Sequence, residues 1–221
     1  LSVVELVGVW KSVGGEAVLR GVDLELGEGV IAVVRGRSGV GKTTLAKVVA
    51  LLSKPDRGLV RFLGMDVSSL GDSQLSTLRL RYIGFADQEC TLVEGLSAWE
   101  NAELSLKLLG VEKSTREKVL KELFELFGLI GLEERKPREL SGGQKQRVVL
   151  IRALAKKPRL FVADEPFAHL DNEAMRTVLE YVKQLAKESS MTALITTTDL
   201  YTPLDADEEF VLESGVLRKK S

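Results

Sequence analysis

The stretch GRSGVGKTT, residues 36–44, sets Gly36, Gly41, Lys42 and Thr43 in the spacing G-x-x-x-x-G-K-[ST]. The chemistry this suits is phosphate binding. Glycines let a backbone curl around an anion without Cβ clashes, so that its N–H groups point inward. A helix that follows adds its positive N-terminal end. At this spacing the lysine reaches the β- and γ-phosphates of a nucleoside triphosphate, and the hydroxyl can ligate Mg2+. Arg37, Ser38, Gly39, Val40 and Thr44 belong to the same wrap. At average residue usage, chance produces the pattern in on the order of one chain in a hundred of this length. A purely structural glycine turn is the weaker reading.

Two further stretches carry chemistry. In RLFVADEP, residues 159–166, a short apolar run ends in two acids. Asp164 can lie beside a magnesium ion held by the phosphate loop, and Glu165 can polarise an attacking water. Many strands end in aspartate at a turn, so this signal gains its weight from the loop upstream. In LSGGQKQR, residues 140–147, Ser141, Gly142, Gly143 and Gln144 open a helical pattern with a hydroxyl and bare backbone N–H groups. That is a second place suited to an anion.

These residues need elements to position them. Residues 17–26 alternate in part, and VIAVV at 30–34 is a β-branched apolar run bounded by glycine, the pattern of a buried parallel strand. A helix is predicted from Lys42, stopped by the turn at residues 54–58, and LVRFLG reads as another strand. Ser97 with Glu100 makes a capping box for a helix through AWENAELSLKLLG. Apolar residues at 119, 120, 123, 124, 126 and 127 give an amphipathic helix whose stripe packs on neighbours rather than on a membrane surface. Further helices are predicted over residues 142–156 and through EAMRTVLEYVKQLAKE, with strands at 159–163 and MTALIT. Strand–helix alternation with apolar strands implies an α/β fold with a mostly parallel sheet. No internal repeat or flexible linker interrupts it.

The 221 residues suffice for one sizeable core. With 44% hydrophobic and 29% charged residues, the composition is that of a soluble globular protein. A formal net charge of −1 argues against a general nucleic-acid binder. The single cysteine, Cys90, cannot pair within the chain, which fits a reducing compartment. No apolar run approaches the roughly 18–20 residues that span a bilayer. The N-terminal LSVVELVGVW lacks a basic leader and a cleavage site, so it is not a signal peptide, and the start at Leu1 reads as trimmed or incomplete. Scarce Asn, Gln, Met and Cys beside plentiful Lys, Arg and Glu lean towards a heat-adapted source, ordinary drift being the alternative.

Over essentially its whole length the chain resembles the ABC-type ATPases, the nucleotide-binding subunits of ABC transporters. In that comparison GRSGVGKTT is similar to the Walker A loop, LFVADE to the Walker B strand and LSGGQ to the signature. The resemblance implies a P-loop NTPase core with an N-terminal antiparallel β region and an inserted helical subdomain. The single domain would divide into a core at residues 1–87 and 156–221 and a helical part at 88–155. It implies ATP and Mg2+ as ligands, with Thr43, Gln88 and Asp164 around the metal. It also implies a head-to-tail dimer with a second ATPase subunit, in which residues 141–144 cover the partner's ATP and AHLD, with His169 and Asp171, crosses the interface. Transmembrane transporter subunits would hold it at the inner face of the cell membrane, in the cytoplasm. The stretches SSLGDSQLSTLRLRYIGFADQ, SAWENAELSLKLLG and ADEPFAHLD look like the lipoprotein-release and macrolide-export group, a pattern that cell-division relatives share.

The departures concern the chemistry directly. Such ATPases usually carry a histidine in a T-H-D pattern after the strand that follows Walker B, and here Thr198 holds that position. Glu165, Lys42 and Thr198 are therefore the expected catalytic positions, with hydrolysis slowed. His169, the chain's only histidine, does not match that position and reads as an ordinary interface or surface residue. Val13 stands where an aromatic residue usually stacks on adenine. Trp10 could substitute if the register differs, core packing being the role first expected of it. Asp87 replaces an apolar or aromatic residue before Gln88. Two alternatives stay open beside an active ATPase: a silent nucleotide-binding module paired with a competent one, and a soluble ABC ATPase outside transport.

Overall fold

Ile31–Arg35 forms β3, a strand buried along its whole length. Its period-2 alternation sends Ile31 and Val33 into one apolar layer and Ala32 and Val34 into another. A strand buried on both faces belongs inside a sheet. In the computed structural model, which describes residues 1–220, β3 lies between β8 (Thr192–Thr197) and β9 (Glu208–Glu213), parallel to both. β7 (Leu160–Asp164) and β6 (Ile83–Ala86) extend the parallel sheet beyond β8, and β10 (Val216–Lys219) closes the other edge antiparallel to β9.

One face of this six-stranded sheet is covered by α1 (Lys42–Val49), α2 (Asp72–Tyr82) and a second, antiparallel sheet. That second sheet has the order β2-β1-β4-β5, built from β1 (Ser2–Val13), β2 (Glu16–Gly27), β4 (Arg57–Phe62) and β5 (Met65–Asp66). The other face packs against α3 (Ala98–Leu108), α4 (Lys113–Leu126), α5 (Gly142–Leu154) and α6 (Asn172–Ser189). The fold is thus α/β, with a mostly parallel sheet and an antiparallel β region. Helices α3 to α5 run between β6 and β7 in the chain. Their apolar sides join the same layer as Ile31 and Val33.

Local chemistry explains the helix ends. Ser97 Oγ accepts from the Glu100 N–H at 3.2 Å while Glu100 Oε2 accepts from the Ser97 N–H at 2.7 Å, the reciprocal cap expected for α3. In α4 the stripe buries Leu120, Leu123 and Phe124, with Phe127 just beyond, each contributing roughly 1.5–3 kcal/mol. Leu126, expected in the stripe, is 45% exposed because it falls off that face. Trp10 is not core either: it is 42% exposed, and its indole Nε1 would lie 3.4 Å from a Cβ at Gly21 on the neighbouring strand. α2, β6, β9 and β10 are not among the elements that periodicity predicts. The polar α2 buries only Leu75, so it has no stripe to read.

Lys156, just after α5, donates from Nζ to the Arg79 and Leu80 carbonyls at 3.0 and 2.8 Å, near the end of α2. Burial lowers its amine to about 8. The charged form is therefore disfavoured in the folded chain, and that cost is complete below pH 8. Between pH 8 and about 10.4 the unfolded chain binds more protons, so stability rises with pH. The expected gain is on the order of 1–3 kcal/mol. Denaturant titrations at about pH 7.5 and 9.5 test this: Lys156→Met should flatten the slope, and a slope equal to wild type refutes it.

Candidate active site

β3 ends at Arg35 and α1 begins at Lys42, so the strand delivers the glycine-rich loop to the sheet's edge. The Gly36 N–H donates to the Thr197 carbonyl at 3.2 Å, tying the loop to β8. Gly41, the residue before α1, has φ +107°, and a Cβ there would lie 2.6 Å from Val18 Cγ1. Only glycine fits. The buried Lys42 folds back across the loop and donates from Nζ to the carbonyls of Gly36 at 3.0 Å and Arg37 at 3.1 Å.

β7 brings the two acids to the same edge. Asp164 is buried, and its Oδ1 accepts from the Thr196 hydroxyl at 2.6 Å. Glu165 follows with φ +50°, a left-handed conformation that costs a residue with a side chain on the order of 1–3 kcal/mol. Its N–H is held at 3.2 Å from both the carbonyl and the hydroxyl of Thr196. Glu165 Oε2 accepts from the Thr198 N–H at 2.9 Å and the Thr198 hydroxyl at 3.3 Å. Oε1 lies 3.2 Å from Lys42 Nζ but off the hydrogen-bond direction, so it accepts no hydrogen bond among the described residues. The contact with the lysine is electrostatic.

These groups converge. A cleft of about 240 Å3 is lined by Ser38, Gly39, Gly41, Lys42, Thr43 and Thr44 of the loop and by Gln88, Glu165 and Thr198. Val13 and Val18 form its apolar wall, Val13 being 55% exposed. An adjoining cleft brings Thr43, Gln88 and Asp164 together. A hydroxyl, a carboxamide and a carboxylate are hard oxygen donors, a set that suits Mg2+ when phosphate oxygens and water complete the shell. No cluster of three or more His, Cys, Asp or Glu among the described residues could cage a metal. Asp87, beside Gln88, serves its own loop, where Oδ1 accepts from the N–H and hydroxyl of Thr91 at 2.9 and 3.0 Å. Next to it Cys90 donates to buried Gln146, and burial first, then Asp87, pushes its thiol up.

The signature residues lie elsewhere. Ser141 and Gln144 cap α5 reciprocally, Ser141 Oγ accepting from the Gln144 N–H at 3.3 Å and Gln144 Oε1 from the Ser141 N–H at 2.8 Å. The exposed His169 imidazole would lie 3.6 Å from a Cβ on Gly142. A Cβ on Gly143 would come within 2.6 Å of the His169 carbonyl. Close approach of the loop after β7 therefore requires glycine at 143. Asp171 caps α6 by accepting from the Ala174 N–H at 2.8 Å. Among the described residues, the lining of the phosphate-loop cleft does not include residues 141–144.

Two further threonines support the site. Thr196 holds both acids, and Thr197 Oγ1 accepts from the Asp199 N–H at 3.0 Å. Asp199 in turn caps its own turn: the Thr202 side chain first, then the N–H groups of Thr202 and Tyr201, hold its carboxyl down to about 2. Their signal is three hydroxyls in a row at the end of an apolar strand.

The family model described as ABC transporter matches residues 19–168. The ABC transporter ATP-binding protein YtrE of Bacillus subtilis is 37% identical over 201 residues, covering 91% of this chain and 87% of that protein. An uncharacterized ABC transporter ATP-binding protein of Thermotoga maritima is 41% identical over 203 residues, covering 90% of this chain and 86% of the relative. The methionine import ATP-binding protein MetN of Brucella abortus is 36% identical over 99% of this chain, which spans 59% of MetN. Among solved structures, a dimeric bacterial ABC transporter cassette superposes with a TM-score of 0.91 at 31% identity, over 98% of this chain and 97% of that one. A second dimeric structure of the same cassette, in a post-hydrolysis state bound to ADP and Pi, gives 0.89, again at 31% identity and with the same 98% and 97% coverage. With its phosphate loop, paired acids and signature helix arranged as described, the chain belongs to the ABC transporter family of ATP-binding proteins.

Proposed function

We propose that this chain is the ATP-hydrolysing subunit of an ABC transporter, working as a head-to-tail dimer with each ATP between one chain's phosphate loop and the other's signature. The observation that carries the reading is Glu165 Oε1, buried beside Lys42 Nζ and accepting no hydrogen bond among the described residues. A carboxylate there can accept the proton of an attacking water. Lys42 and the loop N–H groups orient the phosphates, and Val13 offers the base an apolar but non-aromatic wall. Thr43, Gln88 and Asp164 are the residues suited to Mg2+, which when bound neutralises charge on the phosphate oxygens. Residues 141–144 present a helix N-terminus outside their own chain's cleft, which supports a role towards a second subunit's nucleotide. The two solved structures of the similar cassette are both dimeric, which supports a dimer here.

The division into a core at residues 1–87 and 156–221 and a helical part at 88–155 belongs to this proposal. So does a cytoplasmic place at the inner membrane face through transmembrane partner subunits. Among the described residues, no helix is long and apolar enough to cross a membrane. The three stretches that resemble the lipoprotein-release and macrolide-export group point to a transporter of that kind. Thr198 favours a second reading, a largely silent nucleotide-binding module that pairs with a competent ATPase. ATP turnover by the purified chain across protein concentration separates the two. Turnover per chain should rise steeply with concentration as dimers form. Turnover per chain that stays constant down to high dilution sinks the dimeric site, and ATP binding without turnover at any concentration selects the second reading.

A further inference from the structure

The loop that carries Thr198 has little to hold it. Thr198, Asp199, Leu200 and Tyr201 are all exposed, Tyr201 by 88%, and the next buried side chain is Leu204. Little apolar packing fixes this turn, Leu200 being 37% exposed, yet its first residue makes two contacts to Glu165 Oε2. Its position rests on polar tethers. Thr197 supplies one at the near end, and Asp199 closes the turn on itself. The tethers to the body of the sheet come from an unexpected residue.

Arg35 is the last residue of β3 and 3% exposed, a charged side chain ending a strand that is otherwise apolar. It stands opposite Thr197 on β8, and its side chain reaches past the strand end. Nη1 donates to the Asp199 carbonyl at 2.6 Å and Nη2 to the Thr202 carbonyl at 2.9 Å. Nη2 and Nε donate to the two carboxylate oxygens of Glu209 on β9 at 3.0 and 3.4 Å. Glu209 pairs with Val33, two residues back on the same face of β3, so the sheet register sets the carboxylate beside the guanidinium. With the Arg35 side chain 4% exposed and that of Glu209 25%, such a pair often contributes no more stability than apolar residues in the same space. Packing does not explain its presence; two anchored carbonyls do.

We propose that Arg35, held by Glu209, is a positioning residue that sets where the Thr198 turn meets Glu165. Arg35 touches neither the nucleotide cleft nor the acid. It acts by fixing both ends of the turn from Asp199 to Thr202, so that the Thr198 N–H and hydroxyl arrive at Oε2 in one geometry. The inference rests on Glu165 as the hydrolytic base only for its kinetic consequence; the tether itself is independent of turnover.

The test is Arg35→Met with Glu209→Val, which removes both charges together and fills the space with apolar atoms, beside Arg35→Lys. Three readouts are needed: thermal melting, amide hydrogen exchange of residues 198–202, and kcat and KM for ATP. The double variant should fold. Exchange in the turn should speed by about tenfold or more, with the sheet strands unchanged. Displacement of a positioned group should lower kcat by about 10- to 100-fold with KM nearly constant. Arg35→Lys keeps the charge without the fork and should recover only part of the protection. A folded double variant with wild-type exchange in residues 198–202 overturns the proposal. So does faster exchange with unchanged kcat in an active enzyme. If the wild-type chain turns over no ATP, the proposed activity fails while the exchange measurement still decides the tether.

Discussion

Glu165→Gln is expected to lower kcat for ATP by about 10²- to 10⁴-fold, the usual range for loss of a general base, while ATP still binds. The geometry makes this substitution unusually clean. Thr198 presents two donors to Oε2, so the amide oxygen must take that place. The amide nitrogen then occupies the position of Oε1, beside Lys42 Nζ. A donor replaces the acceptor that an attacking water needs, and the Thr198 and Thr196 contacts to residue 165 stay in place. The backbone at 165 is unaffected, because its φ of +50° is held by Thr196 through the main chain N–H. Losing the carboxylate also frees Lys42 from its ionic neighbour, so affinity for ATP should hold or increase. Phosphate release and equilibrium ATP binding measured on the same variant check both halves. Turnover within tenfold of wild type would mean that another group activates the water.

The legible parts of this site are those with fixed spacing. The phosphate loop, the Walker B acids and the signature each lie within a few consecutive residues, and backbone geometry alone makes their composition necessary. The same holds for the Ser97 and Ser141 caps, whose partners are three residues away. The turn at Thr198 was readable only as a position, and what surrounds it depends on contacts between distant segments. Thr196 reaches Asp164 because β7 and β8 are paired in one register, and Arg35 reaches the Asp199 carbonyl because β3 and β8 are. Nothing within a short window announces either contact. Arg35 does leave a trace, a charge at the end of a buried strand, though its meaning requires Glu209, 174 residues on. Trp10 misled for the converse reason. A tryptophan in an apolar stretch suggests a core, whereas β1 turns that residue outward over Gly21. His169 also acquires a neighbourhood in the fold that its sequence position does not suggest, against the glycines that open α5.

Thr198→His should raise kcat by about 10- to 150-fold, the equivalent of a charge-assisted contact worth roughly 1.5–3 kcal/mol that acts in the transition state alone. KM for ATP should stay nearly constant, because an interaction made only in the transition state does not strengthen ground-state binding. The structure permits the exchange. Thr198 is exposed and lines the cleft, so an imidazole displaces no packed side chain. The main-chain N–H that grips Glu165 at 2.9 Å remains whatever the side chain, and the hydroxyl contact given up is the longer one, at 3.3 Å. Thr198→Val isolates that second contact. It should change kcat by only a few-fold, since the hydroxyl bond is long, at 3.3 Å, and the main-chain N–H keeps its hold on the same oxygen. A gain with histidine and little change with valine would mean that threonine is a tolerated but slow occupant. A loss with both would make the threonine hydroxyl part of the working geometry, its bond to Glu165 Oε2 being the feature that hydrolysis in this chain uses.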